Sequence, residues 1–195
     1  MTISSRSNAI QTALQKVELL PLYLDTETTG TDRSSEIIEI CIIEHDGAPV
    51  YQSLVKPTVK IPPQTTQIHG ITNEMVSSAP PWYKVWPEIE TLLAGRAIGI
   101  YNAEFDLRMM QQTHAKYRMP WRSTQLTNAF CIMKLYAQFY GEWDAVRGSY
   151  RWQSLDAAGK QLRIPLRNTH RALDDTLLAR EVLLAIAKTE ARDQP

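Results

Sequence analysis

Two acidic residues separated by one position, Asp25 and Glu27, end an apolar run and stand directly before a Thr-Thr-Gly sequence. Side chains two residues apart in a β-strand lie on the same face, so the two carboxylates would stand side by side. Neighbouring carboxylates repel each other unless a cation lies between them, and oxygen ligands suit Mg²⁺ or Mn²⁺. Taken alone, the pair is equally compatible with two solvated acids at a strand end.

Three further residues have types that could complete such a site. Asp106 lies in the first turn of a predicted helix that follows a short apolar strand, and Asp175 lies near the start of the last predicted helix. Helix N-termini favour negative charge, so each acid could simply stabilise its helix. His170 precedes that last helix, where a histidine is commonly a cap or a surface residue. Strand ends and helix starts are nevertheless where α/β proteins build their sites.

Hydrophobic periodicity predicts the elements that must position these residues. An Asp-Gly turn signal predicts a hairpin between the second and third strands. Strands followed by alternating strands and helices predict an α/β fold, with a mixed sheet and helices on both faces. The predicted helices cover residues 7–20, 73–77, 82–94, 103–114, 128–140, 154–162 and 171–189. The predicted strands cover 22–26, 37–44, 50–56 and 97–101, with a short fifth strand expected within 117–127.

Length and composition narrow the classes of protein. A chain of 195 residues with 44% hydrophobic content can bury the core of one domain. A formal net charge of +0 argues against bulk coating of nucleic acid but leaves room for a local basic groove. The sequence has no apolar run of membrane-spanning length and no secretory signal, so we expect a cytoplasmic protein without a membrane partner. Cys41 and Cys131 are expected to be free thiols.

Three motifs in order then carry a family resemblance. They are Asp-Thr-Glu-Thr-Thr-Gly at 25–30, Asn-Ala-Glu-Phe-Asp at 102–106 and His-Arg-Ala-Leu-Asp-Asp at 170–175. They resemble the three exonuclease motifs of the DEDDh superfamily, to which the epsilon proofreading subunit of bacterial DNA polymerase III belongs. The Ile-His-Gly-Ile-Thr segment at 68–72 is similar to one in the epsilon-like branch. The resemblance implies a ribonuclease-H-like fold: a five-stranded mixed sheet flanked by helices. It divides the chain into an N-terminal helical appendage over 1–20 and an exonuclease domain over 21–190.

The resemblance also implies roles for the acidic residues and the histidine. Two Mg²⁺ or Mn²⁺ ions would be held by Asp25, Glu27, Asp106 and Asp175, with Asp25 shared between both ions. His170 would be the general base that takes a proton from the attacking water. The carboxylate five residues after the histidine is the one that fits the family spacing, so Asp174 is interpreted as a surface acid. Glu104 holds a variable position of the second motif and is also interpreted as a surface acid.

Substrate contacts are expected from the same resemblance. The first-motif turn and the His-Gly-Ile loop would lie against the terminal nucleotide, which makes Thr28, His69 and Ile71 candidate substrate-binding residues. Asn102 is expected to order the loop around Asp106. The segment 143–152 interleaves arginines with aromatic residues, a mixture that can bind nucleic acid or pack as an ordinary loop. For Trp152 we favour packing.

The function that the sequence favours is a metal-dependent 3′→5′ exonuclease acting on single-stranded DNA and releasing 5′-mononucleotides. A polymerase or repair partner is compatible with the resemblance. An RNA exonuclease resembling ribonuclease T or oligoribonuclease is the main alternative, because the contacts that distinguish a 2′-hydroxyl are not visible in sequence. A nuclease-dead recruitment module is disfavoured because all five catalytic positions hold the expected residue type. A glycosidase with paired carboxylates would leave His170 without a role.

Overall fold

The computed structural model describes residues 5–121 and 126–190. A five-stranded mixed sheet forms the centre, with the strand order β3-β2-β1-β4-β5. Its strands are β1 (Leu22–Thr28), β2 (Ile37–Ile43), β3 (Pro49–Leu54), β4 (Ile98–Ile100) and β5 (Ala129–Cys131), and a separate two-stranded hairpin is made of β6 (Trp143–Asp144) and β7 (Ser149–Tyr150). The helices are α1 (Ser5–Glu18), α2 (Pro63–His69), α3 (Asn73–Val76), α4 (Trp82–Leu93), α5 (Ala103–Lys116), α6 (Ile132–Tyr140), α7 (Leu155–Gln161) and α8 (Ala172–Ala187).

β1 is the central strand of the sheet. It pairs antiparallel with β2 on one side and parallel with β4 on the other. The antiparallel meander β1-β2-β3 predicted from the sequence is confirmed, with Gly47 at a φ of 97° in the turn between β2 and β3. A positive φ is readily adopted by glycine, which explains the Asp-Gly signal.

Helices cover both faces of the sheet, as predicted. Alternation along β1 sends Tyr23 towards a core shared with α1, α6 and α8, while Leu22 and Leu24 enter a second core beneath α4 and α5. The odd-numbered side chains of β1 therefore point towards the face of the sheet that α8 covers. Asp25 and Glu27 belong to that odd-numbered set.

Two elements differ from the predictions. The fifth strand is β5, which occupies the start of the helix predicted over 128–140; its three residues continue directly into the apolar period of α6. The predicted position, 117–127, lies partly outside the described residues. Helix α2 occupies a stretch read as connector and turn, although Pro63 at its first turn and the left-handed Gly70 at its end are ordinary helix boundaries.

Helix α1 packs against the same core as α8, through Ala9, Ile10 and Ala13. Leu14 is 44% exposed and lies outside this contact. The division of the chain into an appendage over 1–20 and a domain over 21–190 stays a prediction. Among the described residues, no helix combines the length and the apolar character needed to cross a bilayer.

Candidate active site

Three carboxylates meet at the carboxyl end of β1. Asp25 and Glu27 project from the same face of that strand, and Asp175 reaches them from the first turn of α8. One carboxylate oxygen from each of the three lies within 4.8 Å of the other two. The sequence prediction that these residues come together, although 148 positions separate Glu27 from Asp175, agrees with the geometry.

Asp106 joins the cluster from the other face of the sheet. It lies in the first turn of α5, directly after β4, and is buried. Thr26, whose side chain points to that face, donates a hydrogen bond of 2.7 Å from its Oγ1 to Asp106 Oδ1. Asp106 stands outside the 4.8 Å group of three but is near enough for its charge to raise the pKa of Asp25.

The four carboxylates all have raised pKa values. Burial is the largest cause in every case; repulsion from the neighbouring acids adds to it for Asp25 and Glu27. The pKa of Asp25 is raised well above its ordinary value, and that of Glu27 is raised to about 8. The pKa of Asp106 is raised to about 7, against the hydrogen bond from Thr26, and that of Asp175 is raised to about 6, against the backbone N–H of Thr169.

This donor set fits a hard divalent cation. The three clustered ligands are carboxylates, which favour Mg²⁺ or Mn²⁺ over softer metals. A cation among them would stabilise the ionised forms that burial and mutual repulsion now disfavour. The cluster therefore has both the ligand chemistry and the excess negative charge of a metal site.

His170 lies beside the cluster on an exposed loop. It directly precedes Arg171, the N-cap residue of α8, and its backbone has a φ of 54°. Such left-handed backbone is uncommon for residues other than glycine, so the loop holds the histidine in a specific conformation. Its backbone N–H donates a hydrogen bond of 3.2 Å to Asn168 Oδ1, and the residue is exposed to solvent.

Sequence reasoning missed a further buried carboxylate beside the cluster, Glu39. It lies opposite Glu27 in the antiparallel register of β1 and β2 and is 2% exposed. Its oxygens accept hydrogen bonds from Arg171 Nε at 3.0 Å, from Arg171 Nη2 at 2.7 Å and from the backbone N–H of Ala172 at 3.1 Å. A charged residue inside the otherwise apolar β2 sequence was the available signal, since buried charges in proteins are normally paired.

The predicted substrate-binding residues lie close to the first motif but are largely buried. His69 ends α2 and is 4% exposed; its Nδ1 accepts the N–H of Ile71 at 3.0 Å. Its Nε2 is buried, and the imidazole also interacts with the backbone of Thr28 in the first motif. Ile71 packs into a small core with Ile38, and Thr28 donates to the carbonyl of Gly30 at 2.6 Å.

The two acids interpreted as surface residues are outside the cluster. Asp174 accepts a hydrogen bond from the Thr169 hydroxyl at 2.6 Å, and exposed Glu104 pairs with Lys134. The segment 143–152 forms the β6–β7 hairpin, in which Arg147 lies 3.8 Å from Asp144. The packed position expected for Trp152 is wrong, because the residue is 55% exposed at the base of the hairpin.

Comparison with known proteins places the chain in a family. A family model described as Exonuclease, RNase_T, matches residues 22–183. The uncharacterized exonuclease CP81 of Escherichia phage 186 is 37% identical over 171 residues, which cover 86% of this chain and 88% of that protein. The DNA polymerase III epsilon subunit of Pasteurella multocida is 26% identical, over 86% of this chain and 66% of that subunit.

Solved structures show the same architecture. Exonuclease X, in complex with 5′ overhanging duplex DNA, superposes with a TM-score of 0.61 at 28% identity, over 85% of this chain and 89% of that one. Exonuclease I superposes with a TM-score of 0.69 at 18% identity, over 87% of this chain and 41% of that one, a likeness of fold alone. The sheet and its flanking helices thus have the ribonuclease-H-like fold, and the chain belongs to the RNase_T exonuclease family of the DnaQ-like superfamily.

Proposed function

We propose that this exonuclease removes nucleotides from the 3′ end of single-stranded DNA and releases 5′-mononucleotides in a reaction that needs two divalent cations. The observation that carries the proposal is the meeting of Asp25, Glu27 and Asp175 within 4.8 Å, beside Asp106 and a solvent-facing His170. These are the five positions at which the motifs resemble the DEDDh superfamily.

Asp25, Glu27, Asp106 and Asp175 would hold Mg²⁺ or Mn²⁺. When bound, two such cations supply a clamp for the attacking and leaving oxygens of an in-line displacement and neutralise charge on the phosphodiester. The chain's own contribution is to hold the four carboxylates on rigid elements: β1, the first turn of α5 and the first turn of α8. Their raised pKa values mean that proton loss and cation binding favour each other at this site.

His170 would act as the general base. Its exposed position next to the cluster lets the imidazole receive a proton from the attacking water and return it to solvent. The loop before α8 sets the direction of approach, because the left-handed backbone at His170 and the bond from Thr169 N–H to Asp175 tie the loop to the cluster.

Thr28, His69 and Ile71 remain the proposed substrate contacts. Nε2 of His69 carries the proton when Nδ1 accepts from Ile71, so the imidazole is a buried donor beside the backbone of Thr28. This position next to the first motif supports a contact between the His69 loop and the terminal nucleotide. Ile71 is fully buried, so its contact would pass through its backbone or follow a small movement of the loop.

DNA is favoured over RNA because Exonuclease X, a solved neighbour at 28% identity, is in complex with DNA. Relatives that are polymerase III subunits support a polymerase or repair partner, although this chain spans only 11% of the PolC-type polymerase of Thermotoga maritima, which it matches at 32% identity. The cytoplasmic location expected from the sequence stays a prediction.

The decisive test is degradation of 5′-labelled single-stranded DNA and RNA of equal sequence, with Mg²⁺, Mn²⁺ or EDTA. A metal-dependent ladder shortening from the 3′ end on DNA, absent in Asp25→Ala, is the expected result. A ladder mainly on RNA would retain the mechanism and replace the substrate. No cleavage of either substrate by the folded wild-type protein would contradict the proposal and favour a recruitment module.

A further inference from the structure

The start of α8 is capped by a residue that is distant in sequence. The first N–H groups of a helix have no partner within the helix, and a nearby side chain usually satisfies one of them. The N-cap residue of α8, Arg171, provides no such bond. Glu39 does so instead, by accepting the N–H of Ala172 at 3.1 Å from the neighbouring strand β2. The first turn of α8 is therefore fixed to the sheet and not only to its own loop.

The same carboxylate holds the Arg171 side chain in two further bonds. Nε and Nη2 of Arg171 meet the two oxygens of Glu39 at 3.0 and 2.7 Å, the fork geometry that gives a guanidinium–carboxylate pair its directional strength. Glu39 is 2% exposed, whereas the Arg171 side chain is 40% exposed, so water screens the pair from the arginine side only. Its partner positions 39 and 171 are 132 residues apart in the chain.

His170 and Asp175, the two proposed active-site residues at the start of α8, lie within one helical turn of the Glu39–Arg171 pair. His170 directly precedes Arg171, and the N–H of Asp175 donates to the Arg171 carbonyl at 3.0 Å. On the other side, Glu39 stands opposite Glu27 in the β1–β2 register. The pair thus connects the start of α8 to β2. Strand β2 is the neighbour of β1, which carries Asp25 and Glu27.

We propose that Glu39 and Arg171 are positioning residues, which set the distance of His170 and Asp175 from the carboxylates of β1. The kinetic consequence rests on the proposed exonuclease function, whereas the structural consequence does not. Arg171 also brings one positive charge to Glu27, which partly offsets the negative charge of the site.

The test compares Arg171→Gln and Glu39→Gln with a matched control. Glu44, just beyond the other end of β2, forms a forked pair with Arg96 at 2.8 and 3.3 Å, so Glu44→Gln removes a pair of the same geometry, although a more exposed one, away from the site. Arg171→Lys retains the charge but not the fork. Two readouts are needed: kcat and KM on single-stranded DNA, and amide hydrogen exchange of peptides covering 166–178 and 22–28.

We expect both Gln variants to lower kcat about 100-fold, the effect of a misplacement near 1 Å, while KM changes by less than about threefold. Amide exchange should become faster in 166–178 and stay unchanged in 22–28. Glu44→Gln should change neither readout, and Arg171→Lys should give an intermediate kcat.

Three outcomes would overturn the inference. One is a kcat within about twofold of wild type in both Gln variants. Another is faster exchange throughout the sheet, which would mean a general stabilising role. The third is unchanged exchange in 166–178. If the wild-type protein cleaved nothing, the exonuclease proposal would fail, but the amide-exchange experiment would still decide whether the pair fixes the start of α8. If Arg171→Gln failed to fold, Arg171→Lys and Glu39→Gln would be used for the test.

Discussion

The hydroxyl of Thr26 donates a hydrogen bond of 2.7 Å to Asp106 across 80 positions of the chain. The donor comes from the central strand and the acceptor from the first turn of α5, so one short bond fixes α5 to the central strand beside the candidate site. It stabilises the ionised carboxylate and opposes the rise in pKa that burial causes at Asp106.

Removing this hydroxyl should weaken metal binding. In Thr26→Val the pKa of Asp106 should rise further, because burial would then be opposed only by the backbone hydrogen bonds of Asp106 and of residue 26. We expect the concentration of Mn²⁺ needed for half-maximal activity at neutral pH to rise several-fold and to recover at higher pH. Thr26→Ser, which retains the hydroxyl, is the control. Equal metal dependence in the two variants would show that the bond does not tune Asp106.

The metal-free protein should lose stability as pH rises. Carboxylates with folded pKa values of about 8 at Glu27, about 7 at Asp106 and about 6 at Asp175 bind more protons when folded than when unfolded. Their contribution is fully present below the ordinary carboxyl pKa near 4 and is lost as pH rises through the folded values. Thermal unfolding in EDTA should therefore give a lower Tm at pH 8.5 than at pH 5.5.

Divalent cations should reverse that loss. At 100 times its dissociation constant, a cation that binds only the folded state adds about 2.7 kcal/mol, or a Tm rise of about 5–10 °C for a chain of this size. Asp25→Asn should raise the metal-free Tm at pH 8.5, since one repelling charge is gone, and should abolish the response to Mn²⁺. Glu104→Gln, at the exposed acid of the second motif, should behave as wild type. A Tm that is independent of pH and metal would contradict the cation site.

His170→Ala should separate proton transfer from binding. Loss of a general base lowers kcat by about 10²–10⁴-fold, and the carboxylates that hold the cations remain in place. We therefore expect Mn²⁺ binding by calorimetry and the affinity for single-stranded DNA to stay close to wild type. Full activity in the variant, or loss of Mn²⁺ binding with it, would assign His170 a different role.

Charge reversal in the hairpin tests its contact with substrate. Arg147 and Arg151 are exposed but pair with Asp144 and Glu142, so the hairpin carries compensated charge. We expect Arg147→Glu or Arg151→Glu to raise KM for oligonucleotides without lowering kcat. Lys160→Glu, on the exposed side of α7, is the matched control. An unchanged KM in both hairpin variants would return this segment to a structural role.

Sequence alone predicted the sheet, most helices and the clustering of the acidic residues, because these depend on periodicity and on motif order. The sequence-based prediction was wrong for elements that are too short to show a hydrophobic periodicity. The three residues of β5 lead straight into α6, and α2 has a polar sequence without a side-chain cap. Glu39 was not predicted as part of the site, because its position depends on the strand register that places it opposite Glu27. Register is a property of the folded sheet.

Helix α8 completes the site from the far end of the described chain. During translation Asp25 and Glu27 are synthesised early, whereas His170 and Asp175 follow only after more than 140 further residues. A nascent chain can therefore form the whole β1-β2-β3 meander before the candidate site is complete. If Asp175 and His170 have the proposed roles, the order of synthesis would itself delay nuclease activity until α8 has docked.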